Sequence, residues 1–405
     1  MSDDPAARAS LRAIGGFSSR AILAATRAPV MHQRPGAVPI YQSATFATDD
    51  AEELAEVLAT GRGYSYARID NPTAAAMAAA VAELEGAPAG YAFGSGMGAV
   101  HAALLATVRA GDRIVATRAV YGSTRTFFDR LLGRLGVETT YVDATDADAV
   151  SAALPGARLL YVETISNPTL VVVDIPELVE RAHHAGALAI VDNTFASPYL
   201  CRPYELGADL VIESATKWLG GHSDLLGGAV SGRDELIADV RSVAIETGGI
   251  VAPFSAFLVL RGLATLAVRM DRHSASALTL ARYLEGLDGP RVTYPGLASH
   301  PQAAVAQRLL RVGGGMLAVD LVTRAGALAF IDGLVIPDRT ASLGSVRTMA
   351  VHAATTSHRQ FAAAALAAAG ISEGLVRVSV GLEDVEDLVA DVAAGLAAAR
   401  SVVPA

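Results

Sequence analysis

The chain has 405 residues but one cysteine, Cys201, and one lysine, Lys217. A lone cysteine cannot close an internal disulfide or build a cysteine-based zinc site, and it suits a reducing cytoplasm. Blocks of like charge are absent as well. The 32 basic and 41 acidic residues leave a net charge of −9 with no basic run, which argues against general nucleic-acid binding. Long apolar runs are also missing: the most apolar stretch, Val251 to Val268, carries Arg261 and would cross a bilayer only at a cost. The opening Met-Ser-Asp-Asp has no basic region leading into an apolar one, so no secretory signal is expected. No internal repeat or low-complexity linker is visible. These absences leave a globular, cytoplasmic protein without membrane or nucleic-acid partners, long enough for about two to three domains.

The shortage of lysine is itself informative, because every other basic residue is an arginine. Arginine does not lose its proton in a protein, whereas a lysine amine can be desolvated, neutralised and used as a nucleophile. Lys217 is therefore the first candidate for a covalent catalytic lysine.

Turning to what is present, residues 1–60 read as an extended arm with one short helix, since Pro29, Pro35 and Pro39 interrupt any long pattern. From 61 to 253, short apolar runs alternate with helical stretches. Strands are expected at Gly90–Phe93, Arg113–Thr117, Thr139–Val142, Arg158–Glu163, Leu188–Asp192 and Asp209–Glu213, with helices at Pro72–Leu84, Gly98–Val108 and Pro176–His184. Such alternation describes an α/β fold on a mostly parallel sheet. Residues 254–405 read as a smaller C-terminal α/β domain, joined through a long helix starting near Phe254. It would hold strands at Gly315–Val319 and Leu375–Val380 and a final helix at Val385–Arg400.

Three segments carry chemistry. Lys217 lies in Glu213-Ser-Ala-Thr-Lys-Trp-Leu-Gly-Gly221, just after a buried strand, where open α/β sheets place ligands. Ser214 and Thr216 set hydroxyls near the amine, which suits a phosphate. A second strand ends in Asp192, a partner for a protonated pyridine nitrogen. The third segment, Phe93-Gly-Ser-Gly-Met-Gly98, opens a helix with small residues and makes an anion-binding N-terminus. A nucleotide site would look similar, so an NAD-dependent oxidoreductase stays open as an alternative. Its glycine spacing is not the dinucleotide fingerprint, however, and no acid follows at the distance a ribose requires. Pyridoxal phosphate (PLP) fits all three segments. The scattered histidines, His101 and His222 among them, suggest no metal site.

On these motifs the chain resembles the PLP-dependent Cys/Met-metabolism enzymes, which include cystathionine γ-synthase, cystathionine γ-lyase, methionine γ-lyase and the O-acylhomoserine sulfhydrylases. The segments carrying the resemblance are Tyr64–Thr73, Ser95-Gly-Met97, Ser214–Asp224 and Val376–Leu382, within a match running from about Pro39 to Leu396. The resemblance implies the type I, aspartate aminotransferase-like fold. It makes Lys217 the covalent anchor of the cofactor, places Asp192 at the ring nitrogen, stacks Tyr121 on the ring and sets Asn167 near the phenolic oxygen. Ser95, Gly96 and Met97, with Ser214 and Thr216, would hold the phosphate. Tyr66 and Arg68 would reach that phosphate from a neighbouring subunit of a homotetramer built as a dimer of dimers. Ser342 and Arg377 would fix the substrate carboxylate.

The implied activity is γ-elimination or γ-replacement on a sulfur amino acid or an activated homoserine. Members that handle cystathionine usually carry acids where this chain has Ser65 and Ala341, which favours a smaller or apolar γ-substituent. Ser123 stands where methionine γ-lyases carry a cysteine, and Arg347 matches a basic residue frequent in sulfhydrylases. Lyase and transferase both remain open. The family's His-Pro-Ala reads His352-Ala-Ala here.

Overall fold

A computed structural model describes residues 16–26, 35–359 and 361–402. Pro29 lies outside the described residues. Seven strands form the larger sheet: β1 (Ala89–Phe93), β2 (Arg113–Thr117), β3 (Glu138–Val142), β4 (Leu159–Glu163), β5 (Leu188–Asp192), β6 (Leu210–Glu213) and β7 (Gly228–Gly232). Their spatial order is β1-β7-β6-β5-β4-β2-β3. All run the same way except β7, which is antiparallel to both of its neighbours.

Both faces of this sheet are covered, and the strand sequences follow that arrangement. Leu159, Tyr161, Ile190, Leu210 and Ile212 pack into one core, while Leu160, Val162, Ala189, Val191 and Val211 pack into the other. Alternation with apolar residues on both sides is the pattern of a buried parallel sheet. It also decides which face each strand-end acid meets. Glu163 and Asp192 follow the parity of Tyr161 and Ile190; Glu213 follows that of Val211.

The strands and helices expected with stated limits form, with those limits moved by a residue or two. Strand β7 was not expected. The N-terminal arm holds two helices among the described residues, Phe17–Thr26 and Ala51–Thr60, in place of the single one expected. The long helix near Phe254 is two helices, Pro253–Leu263 and Leu266–Glu285, meeting at 62°. Packing explains the break. A side chain at Gly262 would sit 2.3 Å from the Leu219 carbonyl, so the helix end is pressed onto the segment after Lys217. No single described helix is long and apolar enough to cross a membrane.

The second sheet has four antiparallel strands in the order β10 (Met349–His352), β11 (Leu375–Ser379), β9 (Met316–Asp320) and β8 (Arg291–Thr293), over its own apolar cluster. Trp218, the chain's one tryptophan, lies where loops of this sheet meet the first. Its indole N–H donates to the Phe195 carbonyl at 3.0 Å and its ring meets His273 edge-on. A side chain at Gly315, just before β9, would fall 2.6 Å from the indole, so only glycine permits this approach.

Candidate active site

The parallel strands deliver their carboxyl ends to one edge, with Glu163 paired to Asp192 and Asp192 to Ile212 across β4, β5 and β6. Lys217 follows β6 in a tight turn: its N–H donates to the Ser214 carbonyl at 3.1 Å, and its own carbonyl accepts from Gly221 at 2.8 Å. Arg269 braces that turn from behind, donating to the Trp218 and Gly262 carbonyls at 2.8 Å each. The Lys217 amine meets the Ser342 hydroxyl at 2.9 Å. Burial, and next the charge of Arg377, lower the amine to about 8. A lysine so shifted is partly neutral near physiological pH and able to move protons.

Asp192 receives hydrogen bonds from the Thr194 N–H at 3.0 Å and the Tyr161 hydroxyl at 3.3 Å. Burial raises its pKa and these donors oppose the rise. A cation set against it would draw it back down. Glu163 is pushed well above the usual carboxylate range by burial and then by the Asp192 charge. Its two oxygens accept from the backbone N–H groups of Tyr121, at 2.6 Å, and Asn167, at 3.3 Å. One acid therefore fixes two of the residues expected to face the cofactor. Tyr121 keeps 38% of its surface exposed.

The anion cradle is assembled from separate elements. Ser95 caps the helix Gly96–Thr107, its hydroxyl accepting from the Gly98 N–H at 3.0 Å. The first N–H groups of a helix have no partner within it, so Gly96 and Met97 can direct theirs at an anion. A Cβ at Gly96 would lie 2.6 Å from that of Ser214, and one at Gly228 only 2.3 Å from the Ser95 carbonyl. These glycines bring the helix start against Ser214. The Thr216 hydroxyl is oriented by the backbone of Gly227, at 3.0 and 3.2 Å. Helix start, two hydroxyls, a softened amine and a strand-end acid together fit pyridoxal phosphate.

Arg377, on β11, is 3% exposed and donates to the Asn167 side-chain oxygen and the Ser342 carbonyl, both at 2.8 Å. Both acceptors are neutral, and the Arg377 Nε has no partner. Burial lowers this guanidinium to about 10. A buried cation held only by neutral groups suits an incoming carboxylate. Ser342, expected beside that carboxylate, turns its hydroxyl to Lys217 and contributes its carbonyl to Arg377.

On the same chain, Tyr66 and Arg68 share none of the hydrogen bonds described above. Arg68 donates to the Ile245 carbonyl at 2.7 Å and lies over the Tyr66 ring, which is 44% exposed. Sequence reasoning gave no role to two residues that the structure brings to the site, Glu163 and Thr194. Glu163 ends a strand just as Asp192 does, so its signal was present. Thr194 directly follows the Asp192-Asn193 pair.

A family model described as "Cys/Met metabolism PLP-dependent enzyme" matches residues 21–397. The chain is 41% identical over 369 residues to an L-methionine gamma-lyase of Porphyromonas gingivalis, covering 89% of this chain and 92% of that protein. It is 43% identical over 339 residues to an O-succinylhomoserine sulfhydrylase of Pseudomonas aeruginosa, covering 83% and 84%. Among solved structures, the cystathionine gamma synthase of Xanthomonas oryzae pv. oryzae superposes with a TM-score of 0.91 at 37% identity, over 96% of this chain and all of the other.

Proposed function

Because the chain belongs to the Cys/Met metabolism family of PLP-dependent enzymes, we propose that it performs γ-elimination on a sulfur amino acid with a small, uncharged γ-substituent, methionine being the model substrate. One water is consumed, and the products are a thiol, ammonia and a 2-oxo acid. The observation that carries this reading is Ala341, an uncharged residue directly before the serine that touches Lys217. With Ser65 also uncharged, neither position offers an anion to a distal ammonium group.

When bound, pyridoxal phosphate supplies the electron sink for charge at the substrate's α-carbon. Lys217 would hold it covalently, Asp192 would face its ring nitrogen, and Ser95, Gly96, Met97, Ser214 and Thr216 would hold its phosphate. Asn167 and Tyr121, both tied to Glu163, would flank its ring. Arg377 grips the substrate carboxylate, so the bonds at the α-carbon are oriented and not merely near. The Lys217 amine, neutral above about pH 8, moves protons at the α- and β-carbons. Ser342 holds that amine in place.

We further propose that residues 61–253 carry the cofactor and residues 254–405 supply the carboxylate clamp, after the arm 1–60. A cytoplasmic homotetramer would use the exposed Tyr66 and Arg68 of each protomer to complete a partner's phosphate site. A second reading, γ-replacement by sulfide on an O-acylhomoserine, is favoured by Ser123 and by Arg347, which pairs with Asp338 at 2.6 Å.

The deciding experiment measures 2-oxobutyrate release from methionine and from O-acylhomoserine, the latter with and without sulfide. Release from methionine supports the lyase. No methionine turnover, with acylhomoserine diverted by sulfide into homocysteine, overturns it in favour of the transferase.

A further inference from the structure

Strands β5 and β6 run parallel with Asp192 paired to Ile212, and their ladder continues one rung further, where the Asn193 N–H donates to the Ile212 carbonyl at 2.9 Å. In a regular parallel ladder the next rung would run from the Ser214 N–H to the Asn193 carbonyl. That carbonyl is turned away, accepting instead from the Ala196 and Ser197 N–H groups at 3.0 and 2.8 Å. The Asn193 side chain holds the bend from within the core, donating to Glu85 at 3.0 Å and to the Cys201 carbonyl at 2.9 Å. A side chain supplies the missing rung: the Ser214 N–H donates to the Thr194 hydroxyl at 2.9 Å. The Thr194 N–H meanwhile donates to Asp192 at 3.0 Å. One threonine therefore touches the strand-end acid through its backbone and the start of the lysine turn through its side chain.

We propose that Thr194 is a positioning residue for the phosphate cradle: its hydroxyl, standing in for the absent backbone acceptor, fixes Ser214 against the helix start at Gly96. The inference deepens the functional reading above and rests on its assignment of Ser214 to the phosphate. The fit it maintains is close, since a Cβ at Gly96 would lie 2.6 Å from that of Ser214 and 2.7 Å from its hydroxyl. Without the Thr194 hydroxyl, the Ser214 N–H loses its acceptor and the residue is free to move off the helix start toward another partner. The Asp192 contact is made by backbone, so a change of side chain leaves that end of the site in place.

The test titrates full-length protein, stripped of cofactor, with PLP and with pyridoxal, following the cofactor's absorbance. Pyridoxal has the same ring and aldehyde but no phosphate. Thr194→Val keeps the shape and removes the acceptor, Thr194→Ala removes it with less bulk, and Thr194→Ser retains the hydroxyl. The expected result is PLP affinity about tenfold weaker in Thr194→Val and Thr194→Ala, pyridoxal affinity unchanged, and PLP binding largely restored in Thr194→Ser. Equal PLP affinity in wild type and both hydroxyl-free variants overturns the inference. Equal loss for both cofactors also overturns it, because a fold defect or a displaced lysine weakens the two alike. Wild-type protein that binds pyridoxal as tightly as PLP overturns the assignment of Ser214 to the phosphate, and the inference with it.

Discussion

Lys217 is the only side-chain amine in the molecule, so chemistry aimed at amines has one side-chain address. Borohydride treatment of the loaded protein should fix the cofactor to the single peptide containing Lys217, and Lys217→Arg should leave that mark absent. A marked peptide elsewhere, the N-terminal amine aside, would remove the lysine from its role. Since the free amine titrates near 8 and only its neutral form attacks, the rate of loading apoprotein should climb as pH rises through about 8 and then level off. A second residue-level feature lies on the opposite sheet face from Asp192. There Glu85 is pushed up to about 7 and Glu213 well above its ordinary value, by burial first. Asn193 donates to Glu85 at 3.0 Å. An acid raised on folding contributes stability fully below its unfolded value of about 4.5, and that contribution is lost as pH rises through the folded value. Glu213→Gln should therefore raise the melting temperature at pH 8 by a few degrees relative to wild type, with the gain shrinking toward pH 5. An equal shift at both pH values, read by calorimetry, would rule out this titration. Lys217 and Asp192 were legible in the sequence because each stands at the end of a strand beside small or hydroxylated residues. Glu163 was passed over although it too ends a strand, because its partners are the backbone N–H groups of Tyr121 and Asn167, which no side-chain motif records.

Among the elements, the helix Gly96–Thr107 offers the sharpest test. Alanine is favoured over glycine in a helix by about 1 kcal/mol, so Gly96→Ala should not weaken the helix. The new methyl group would nevertheless lie 2.6 Å from Ser214. Cofactor affinity should fall by at least about tenfold while the protein stays folded, as measured by absorbance titration of apoprotein alongside far-UV circular dichroism. Undiminished affinity would mean that the helix start does not hold the phosphate. The parallel strands were legible because each is a short apolar run closed by turn residues. Strand β7 was not, since Gly228-Ala-Val-Ser-Gly232 carries little of the β-branched or aromatic character that marks a strand. Its small residues serve close approach: Gly228 lies against Ser95 and Gly232 against the Asp209 carbonyl. The bend after Leu263 was likewise hidden, because apolar spacing continues through it and the cause is contact with the segment following Lys217.

Taken as a whole molecule, the site exists only where two sheets meet. Asp192 ends a strand of the seven-stranded sheet and Lys217 follows another, Arg377 lies in the four-stranded one, and Ser342 bridges them, its hydroxyl on Lys217 and its carbonyl on Arg377. The proposed tetramer adds a further layer. Arg68→Ala should lower cofactor affinity, and mixing Arg68→Ala protomers with Lys217→Arg protomers should restore some activity, because one composite site would again hold both side chains. No recovery after verified subunit exchange would place Arg68 outside the site. Overall architecture was readable from alternation and turn chemistry, but the contact between the sheets was not, since no local pattern records which loops will touch. Trp218 lies at that contact, next in sequence to the lysine and pressed by Gly315. The molecule thus carries one indole fluorophore, placed at its own seam. Its emission is a built-in optical gauge: a chromophore arriving at the neighbouring lysine will quench it, and any shift of one sheet against the other will change its colour, without a label being attached.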